Sequence, residues 1–293
     1  MKKDLAEIHE LITDAFKWPS NNEEFRKYVL SGEQINFYKE NGYLSGIQVL
    51  NNEQIELLKV ELNEFIQPGY KNELFYEYNS NESLDPTRTL FHALGAWRIS
   101  KGFHDILWNP AIIIPASQLL GDTSVRFWHD QIFYKPAKHG GVVAWHQDYS
   151  YWTRTYPMNH LTSWFSLDDS DRNNGCLHYV PKSHTWGLLD KVDLSGNMEN
   201  IRNYLNEEQK EMFKPVHIEL KKGFAAFHHP LLLHGSFENS TERPRRAIVL
   251  NFFEDGTKAS SEEPLLEGTP GFSKGQKVEG KFFPLLYKKH PAA

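Results

Sequence analysis

Residues 142–148 read Val-Val-Ala-Trp-His-Gln-Asp, a β-branched and aromatic run that ends in a His-x-Asp pair. Runs of the same kind continue from about residue 124 to residue 255 and are separated by turn residues. They predict short strands at 125–134, 142–146, 160–167, 176–180, 217–220, 224–228, 231–236 and 245–253. Many short strands with regular turn punctuation are typical of a double-sheet jelly roll or barrel.

The first third of the chain has helical periodicity instead. Ser31 followed by Gln34 forms a capping-box pattern, and the same pattern recurs later at Asn51 and Gln54. Each pattern predicts the start of a helix, and Gly42 is a suitable stop for the first of the two. Two further helices are predicted, one over residues 111–120 and one from an apolar stripe formed by Leu5, Ile8, Leu11, Ile12 and Phe16.

Together these patterns predict one domain of mainly β structure with flanking helices. We expect a mostly helical flank over residues 1–123, whose helices pack on the rest. Residues 124–255 are expected to form a double-stranded β-helix, the cupin-like jelly roll, with a helix around 201–213. The Pro- and Gly-rich residues 256–293 are expected to form an irregular tail.

Composition and charge exclude several classes of partner. The net charge is −6 and no basic block is present, so we expect no nucleic-acid partner. No apolar stretch approaches the roughly 18 residues of a membrane span, and the N-terminus lacks the apolar core of a signal peptide. The single cysteine, Cys176, excludes an intrachain disulfide and a thiolate metal cluster. These features favour a cytoplasmic protein; the oligomeric state is left open.

The His-x-Asp pair predicts a metal site. Residues i and i+2 of a strand point to the same side, so His146 and Asp148 aim two ligands at one point. His228, His229 and His234 are the candidates for a third ligand. Two imidazoles and one carboxylate form the facial triad of non-haem iron(II) oxygenases, which leaves open positions on the metal.

The surroundings of His234 favour it over the other two histidines. It is followed by Gly-Ser, and Arg245 lies 11 positions later. This combination is the sequence form of a jelly-roll oxygenase that holds 2-oxoglutarate, because a planar guanidinium suits the far carboxylate of that keto acid. The adjacent His129 and Asp130 face opposite sides of a strand and therefore cannot chelate one ion together.

Five segments resemble the phytanoyl-CoA dioxygenase family of iron(II)- and 2-oxoglutarate-dependent oxygenases. They are Phe37–Leu44, WHQD (145–148), DRNNGCLHYVPKSH (171–184), HPLLLHGS (229–236) and RPRRAIVLNFF (243–253). The resemblance implies that iron(II) is held by His146, Asp148 and His234, and that 2-oxoglutarate is held by Arg245 and Ser236 with Trp164, Gln147 and Gln131 as neighbours. It also implies O2 as oxidant, succinate and CO2 as products, and a hydroxylated substrate, since the carboxylate of Asp148 argues against halogenation.

The substrate is not readable from the sequence beyond a small molecule. Residues that could line its pocket are His129, Tyr149, Trp152 and Arg154, while Arg88, Arg98 and Lys101 could reach the site from the helical region. Two alternatives remain: a cupin-like metalloenzyme that does not use 2-oxoglutarate, and a jelly-roll binding protein without catalysis.

Overall fold

The computed structural model describes residues 3–79, 90–138, 141–194 and 197–289. Within these residues the chain forms two main antiparallel β-sheets with helices on the outer face of the larger one. The mainly β jelly-roll prediction is thereby confirmed.

The helices lie mostly before the β-rich region, as predicted. Both predicted capping boxes are present, with Ser31 and Asn51 as the N-cap residues, and Gly42 ends its helix in the left-handed conformation. The helices are α1 (Asn22–Arg26), α2 (Gly32–Asn41), α3 (Asn52–Phe65), α4 (Lys101–Asp105), α5 (Pro110–Leu119) and α6 (Glu207–Met212).

The strands of the central region begin and end within a few residues of the predicted positions. The strands are β1 (Tyr43–Gln48), β2 (Glu77–Asn79), β3 (Phe91–Leu94), β4 (Val125–Lys135), β5 (Val143–His146), β6 (Thr155–Tyr156), β7 (His160–Ser166), β8 (Leu177–Tyr179), β9 (Val216–Ile218), β10 (Phe224–His228), β11 (His234–Ser236), β12 (Arg245–Glu254), β13 (Lys258–Ala259) and β14 (Leu285–Tyr287).

Non-consecutive strands are neighbours, as a jelly roll requires. The larger sheet has the order β1-β10-β7-β12-β4-β3-β2, with β14 paired to β4. The smaller sheet has the order β5-β11-β8-β9, and β13 pairs with β6 alone. Apolar side chains of both sheets, among them Trp164, Leu177, Tyr179 and Val249, pack together between the sheets.

The outer face of the larger sheet is covered by the helical region. Leu58 and Leu62 of α3 are fully buried in the same core cluster as Phe165 and Phe227 of the sheet. At about 25 cal/mol per Å² of apolar surface, each such buried leucine contributes on the order of 2 kcal/mol. This packing holds the sheet as a rigid back wall for the cavity on its other face.

The predicted helix over residues 5–16 is wrong. Only Leu5–Glu7 form a short 3₁₀ turn, and the rest of the segment is irregular. The carboxylate of Asp105 accepts hydrogen bonds from the backbone N–H groups of Ile12 and Thr13 and from the Thr13 hydroxyl. These bonds satisfy donors that a helix would have used, so tertiary contacts override the local periodicity.

The flank and the tail also contain strands that the sequence did not predict. β1, β2 and β3 come from the N-terminal third and complete both ends of the larger sheet, while β14 comes from the tail. β14 pairs with β4, and the guanidinium of Arg126 donates to the backbone oxygen of Phe283 just before it. The tail is therefore docked on the sheet through residues 283–287.

Candidate metal centre and co-substrate pocket

His146 and His234 are direct cross-strand partners at the ends of β5 and β11. Their ring centroids lie 4.1 Å apart. Each Nδ1 donates to a backbone oxygen two residues earlier, of Ala144 at 2.7 Å and of Leu232 at 2.9 Å. Because Nδ1 carries the proton in both rings, both Nε2 atoms keep a free lone pair, which is the form that binds a metal.

Asp148 follows β5 by two residues and begins a 3₁₀ turn, Asp148–Tyr151. Its Oδ1 lies 3.4 Å from His146 Nε2 and 3.6 Å from His234 Nε2. Ligands at about 2.1 Å from a metal and at right angles to each other are about 3 Å apart. The three atoms thus surround one point at nearly the spacing that a facial triad needs, and all three residues are buried.

The second oxygen of Asp148 is held by two side-chain donors. Thr162 Oγ1 lies 2.6 Å from Oδ2, and His228 Nε2 lies 3.0 Å from it. His228 Nδ1 in turn accepts from the hydroxyl of Tyr179 at 2.9 Å. These contacts fix the carboxylate so that Oδ1 faces the two imidazoles, and they place His228 behind Asp148, outside the three-residue cluster that could hold a metal ion.

The charges at the triad are strongly coupled. Burial raises the pKa of Asp148, but the neighbouring His234 and His146 and a hydrogen bond from His228 outweigh burial and hold that pKa well below its usual range. Burial, together with the neighbouring His146, lowers the pKa of His234 well below its usual value. An ionised carboxylate with neutral imidazoles is the protonation state that a divalent cation requires.

Arg245 is buried with two of its three guanidinium nitrogens unpaired. Its side chain is 2% exposed, and Nε and Nη1 have no hydrogen-bond partner among the described residues. The guanidinium lies 5.4 Å from the ring centroid of Trp164, and burial lowers the pKa of Arg245 to about 10. A buried cation with free donors is costly unless an anion meets it, and a carboxylate such as the far end of 2-oxoglutarate would supply the missing acceptors.

Lys135 lies opposite Arg245 in the β4–β12 ladder, and it is fully buried. Its Nζ donates to Ser236 Oγ at 2.8 Å and to the backbone oxygen of Phe237. Burial and the nearby Arg245 lower the pKa of Lys135 well below its usual value. Two basic groups therefore converge beside Ser236, which reinforces the demand for an anion there. Lys135 was not predicted from the sequence, because it belongs to no motif.

The triad and Arg245 open on one cavity of about 570 Å³ between the two sheets. This volume falls within the range of roughly 300–1,000 Å³ that is usual for small-molecule sites. The described residues that line it include the triad, Thr162, Trp164, Ser236, Arg245, Gln131, His129, Trp128, Tyr151, Trp152, Arg154, Leu265 and Leu266. Seven of the nine predicted co-substrate and pocket residues thus line one cavity.

Two predicted residues lie outside the cavity lining. The Gln147 amide donates to the backbone oxygens of Gly187 and Leu231 and accepts from the backbone N–H of Leu189. Both amide hydrogens and one lone pair of the amide oxygen are used, so the side chain holds these loops, and its placement does not support the expected contact with the co-substrate. Tyr149 likewise packs in the core and donates to the Thr155 backbone oxygen; Tyr151 lines the cavity in its place.

Arg154 lines the mouth of the cavity but is already engaged. Its guanidinium donates to the backbone oxygens of Pro264 and Leu265, so it ties the tail to the loop after the triad. Arg98 is bonded to Asp4 and the Leu74 backbone, and neither it nor Lys101 lines the cavity. Arg88 lies outside the described residues.

His129 and Asp130 face opposite sides of their strand, as predicted. His129 lines the cavity, while Asp130 points to the other side and accepts from the backbone N–H groups of Gly95 and Trp97. Gln131 also lines the cavity, and its side-chain oxygen lies 2.9 Å from His92 Nε2.

None of the described helices is both long and apolar enough to cross a membrane.

Comparisons with known proteins show what this chain is similar to. It is 25% identical over 237 residues to the human peroxisomal phytanoyl-CoA dioxygenase, which covers 76% of this chain and 68% of that protein. It is 26% identical to a probable phytanoyl-CoA dioxygenase of Caenorhabditis elegans, covering 78% and 76%.

Solved structures share the fold. The α-ketoglutarate-dependent carbocyclase SnoK from nogalamycin biosynthesis superimposes with a TM-score of 0.70 at 20% identity, covering 87% of this chain and 96% of SnoK. EctD from S. alaskensis gives a TM-score of 0.67 at 18% identity, covering 96% and 94%.

The model of the phytanoyl-CoA dioxygenase (PhyH) family matches residues 38–247, which is more than half of the chain. The chain therefore belongs to the phytanoyl-CoA dioxygenase family, which confirms the enzyme class and the cofactors expected from its motifs, a non-haem dioxygenase that uses iron(II), 2-oxoglutarate and O2.

Proposed function

We propose that this enzyme hydroxylates an unactivated C–H bond of a small, largely apolar molecule, with release of succinate and CO2. The observation that carries the proposal is the buried, unpaired guanidinium of Arg245 in the same cavity as the His146-Asp148-His234 triad. A metal site alone fits many reactions. A metal site with a buried carboxylate receptor in the same cavity fits a keto-acid co-substrate.

In this proposal His146 Nε2, His234 Nε2 and Asp148 Oδ1 bind iron(II). Arg245 and the Ser236 hydroxyl bind the far carboxylate of 2-oxoglutarate, and Trp164 packs beside it. Iron(II) bound with 2-oxoglutarate supplies the oxidising chemistry, in which one atom of O2 enters succinate, the other enters the substrate, and CO2 leaves. The chain itself ligates, orients and excludes water.

The cavity wall supports an apolar substrate body. Trp128, Trp152, Leu265 and Leu266 line it and are almost fully buried. Among the described lining residues the only cations are Arg154 and Arg245, and Arg154 is bonded to the tail backbone. This wall offers few cations to bind the phosphates of a coenzyme A thioester, so we infer that the substrate is a compact metabolite. A cytoplasmic location remains a prediction.

The alternatives from the sequence are disfavoured by the same residues. A cupin-like enzyme without 2-oxoglutarate has no use for two buried basic groups, Arg245 and Lys135, next to Ser236. A binding protein without catalysis has no use for an aligned triad whose Nε2 lone pairs are kept free.

The test is spectroscopic and needs no substrate. Anaerobic protein with iron(II) should develop a weak visible charge-transfer band when 2-oxoglutarate is added, because the keto acid chelates the metal. The Arg245→Met variant should need a much higher 2-oxoglutarate concentration for the same band, while its iron affinity stays near that of the parent. Absence of the band in iron-loaded protein, or equal loss of both affinities in the variant, would contradict the proposal. A screen for substrate-dependent succinate release, with detection of a product gaining one oxygen, then identifies the substrate.

A further inference from the structure

A chain of polar side chains leads from the triad to the wall of the cavity. Thr162 Oγ1 contacts Asp148 Oδ2 at 2.6 Å and Asn251 Oδ1 at 2.9 Å. Asn251 Nδ2 lies 3.3 Å from His129 Nδ1. All four residues are buried, so each contact must be a hydrogen bond or a repulsion with little relief from solvent.

The hydrogens available for bonding in this network of side chains can be counted. Thr162 has one hydroxyl hydrogen, and an ionised Asp148 can only accept. Two oxygens at 2.6 Å repel each other unless a hydrogen lies between them, so Thr162 donates to Asp148. It then has none left for Asn251 Oδ1 at 2.9 Å.

A 180° rotation of the Asn251 side-chain amide removes this clash of two acceptors. Amide oxygen and nitrogen have nearly the same shape, so the network decides which atom faces which neighbour. With its NH2 group towards Thr162, Asn251 donates to the hydroxyl oxygen, and its carbonyl faces His129 Nδ1. Since a carbonyl only accepts, His129 Nδ1 must then carry the proton.

The other nitrogen of His129 is consequently an acceptor. No described residue bonds Nε2, and it is not among the polar atoms sealed from solvent without a partner. The residue is only 4% exposed and its ring lines the cavity, so Nε2 opens on the cavity. Burial also lowers the pKa of His129 to about 4, which keeps the ring neutral near pH 7.

A β-bulge places this ring. In the β4–β12 ladder His129 lies opposite Asn251, and Phe127 lies opposite Phe252, so Trp128 is an extra residue without a partner. Trp128 and His129 consequently both line the cavity, although neighbours in a regular strand face opposite sides. Bulges of this kind re-aim side chains and are frequent beside active sites.

We propose that His129 binds the substrate through a bare Nε2 that accepts a hydrogen bond from an O–H or N–H group, and that Asn251 is the positioning residue that fixes this tautomer through Thr162 and Asp148. The inference rests on the proposed function in taking the cavity as the substrate site. It narrows the substrate to a compact molecule with at least one hydroxyl or amino donor. A molecule bearing only ether or carbonyl oxygens would set a lone pair against the lone pair of Nε2 and be rejected.

The tautomer is measured directly by NMR. Full-length protein labelled with 15N-histidine and loaded with zinc(II) and 2-oxoglutarate gives separate ring-nitrogen signals for protonated and bare atoms. We expect His129 to show a protonated Nδ1 and a bare Nε2, and the Asn251→Leu variant to lose this fixed pattern. A protonated Nε2 in the parent protein overturns the proposal.

The acceptor role is tested with a matched pair of probes, phenol and anisole, which differ in the donor hydrogen. Phenol should shift the Nε2 signal and bind about tenfold more tightly than anisole, the value of one well-formed hydrogen bond. The preference should vanish in His129→Phe and persist in His160→Phe, a neighbouring buried histidine outside the cavity lining. Equal affinities with an unmoved Nε2 overturn the proposal. The probe experiment uses zinc-loaded protein, which supports no turnover. The phenol preference can therefore be absent while the iron charge-transfer band appears, and the preference can be present while the band is absent.

Discussion

His146 and His234 face each other as direct partners in the β5–β11 ladder, and both donate Nδ1–H to a backbone oxygen two residues earlier in their own strand. The backbone of one sheet thus sets the direction and the tautomer of two candidate metal ligands at once. A site built this way is prepared before the metal arrives, because the rings need no rearrangement to offer Nε2.

This relationship separates His234 from the nearby histidines in a test. His234→Ala should abolish tight binding of iron(II), since two ligands remain of three. His229→Ala is the matched control: that ring packs against His184 and does not line the cavity. Calorimetric titration with manganese(II) as a stable substitute measures both variants. Retained tight binding in His234→Ala, or its loss in His229→Ala, would show that the ligand is misassigned.

Thr162→Val removes the hydroxyl that donates to Asp148 Oδ2 while keeping the shape of the side chain. Support of this kind for a ligand is usually worth about 10- to 100-fold in metal affinity. We therefore expect manganese(II) to bind at least about tenfold more weakly to Thr162→Val. Thr162→Ser, which keeps the hydroxyl, should restore most of the affinity. Equal weakening in both variants would point to packing rather than to the hydrogen bond.

Lys135→Met tests the second basic group near Arg245. Lys135 Nζ donates to Ser236 Oγ, so the hydroxyl hydrogen of Ser236 is free for a ligand carboxylate. The variant should bind 2-oxoglutarate more weakly, with iron affinity unchanged. Adding Ser236→Ala to Lys135→Met should cause little further loss of 2-oxoglutarate affinity, because the two residues act as a unit. Additive losses in the double variant would indicate that the residues act independently.

The sequence predicted the parts of the site that depend on strand alternation and fixed spacing. His146, Asp148, His234, Ser236 and Arg245 lie where that reasoning needs them, and Asp130 faces away as expected. Their places follow from the period-two direction of side chains, which is a property of the chain itself. The roles of the five as metal and co-substrate ligands are now proposals that the experiments above test.

The residues that the sequence misplaced depend on long-range contacts. Gln147 was expected at the co-substrate, but backbone groups of Gly187, Leu189 and Leu231, more than 39 positions away, take its amide. Trp128 enters the cavity because of a bulge whose position depends on pairing with β12. Neither effect leaves a local pattern, so hydrophobic periodicity has nothing to detect.

The buried ring of His160 predicts how stability depends on pH. Burial lowers the pKa of His160 to about 3, against about 6.5 in an unfolded chain. The folded state keeps the ring neutral while the unfolded state takes up a proton, so the stabilisation is present above pH 6.5 and is lost as pH falls towards 3. In metal-free protein, the unfolding free energy of the parent minus that of His160→Phe should fall by about 1.4 kcal/mol per pH unit below pH 6. Urea unfolding at several pH values measures it, and parallel curves for the two proteins would show that the ring is protonated in the fold.

Arg154→Ala tests whether the tail closes the cavity. The guanidinium of Arg154 donates to the backbone oxygens of Pro264 and Leu265, and Leu265 and Leu266 line the cavity wall. Without these bonds, residues 261–266 should exchange their amide hydrogens faster, because the segment has lost its tie to the loop after the triad. Affinity for 2-oxoglutarate should stay near that of the parent, since Arg245 and Ser236 are untouched, whereas a cavity probe such as phenol should bind more weakly. Hydrogen exchange followed by mass spectrometry measures the first effect and titration the other two. Unchanged exchange over 261–266 would mean that the docked β14 strand holds the tail without help from Arg154.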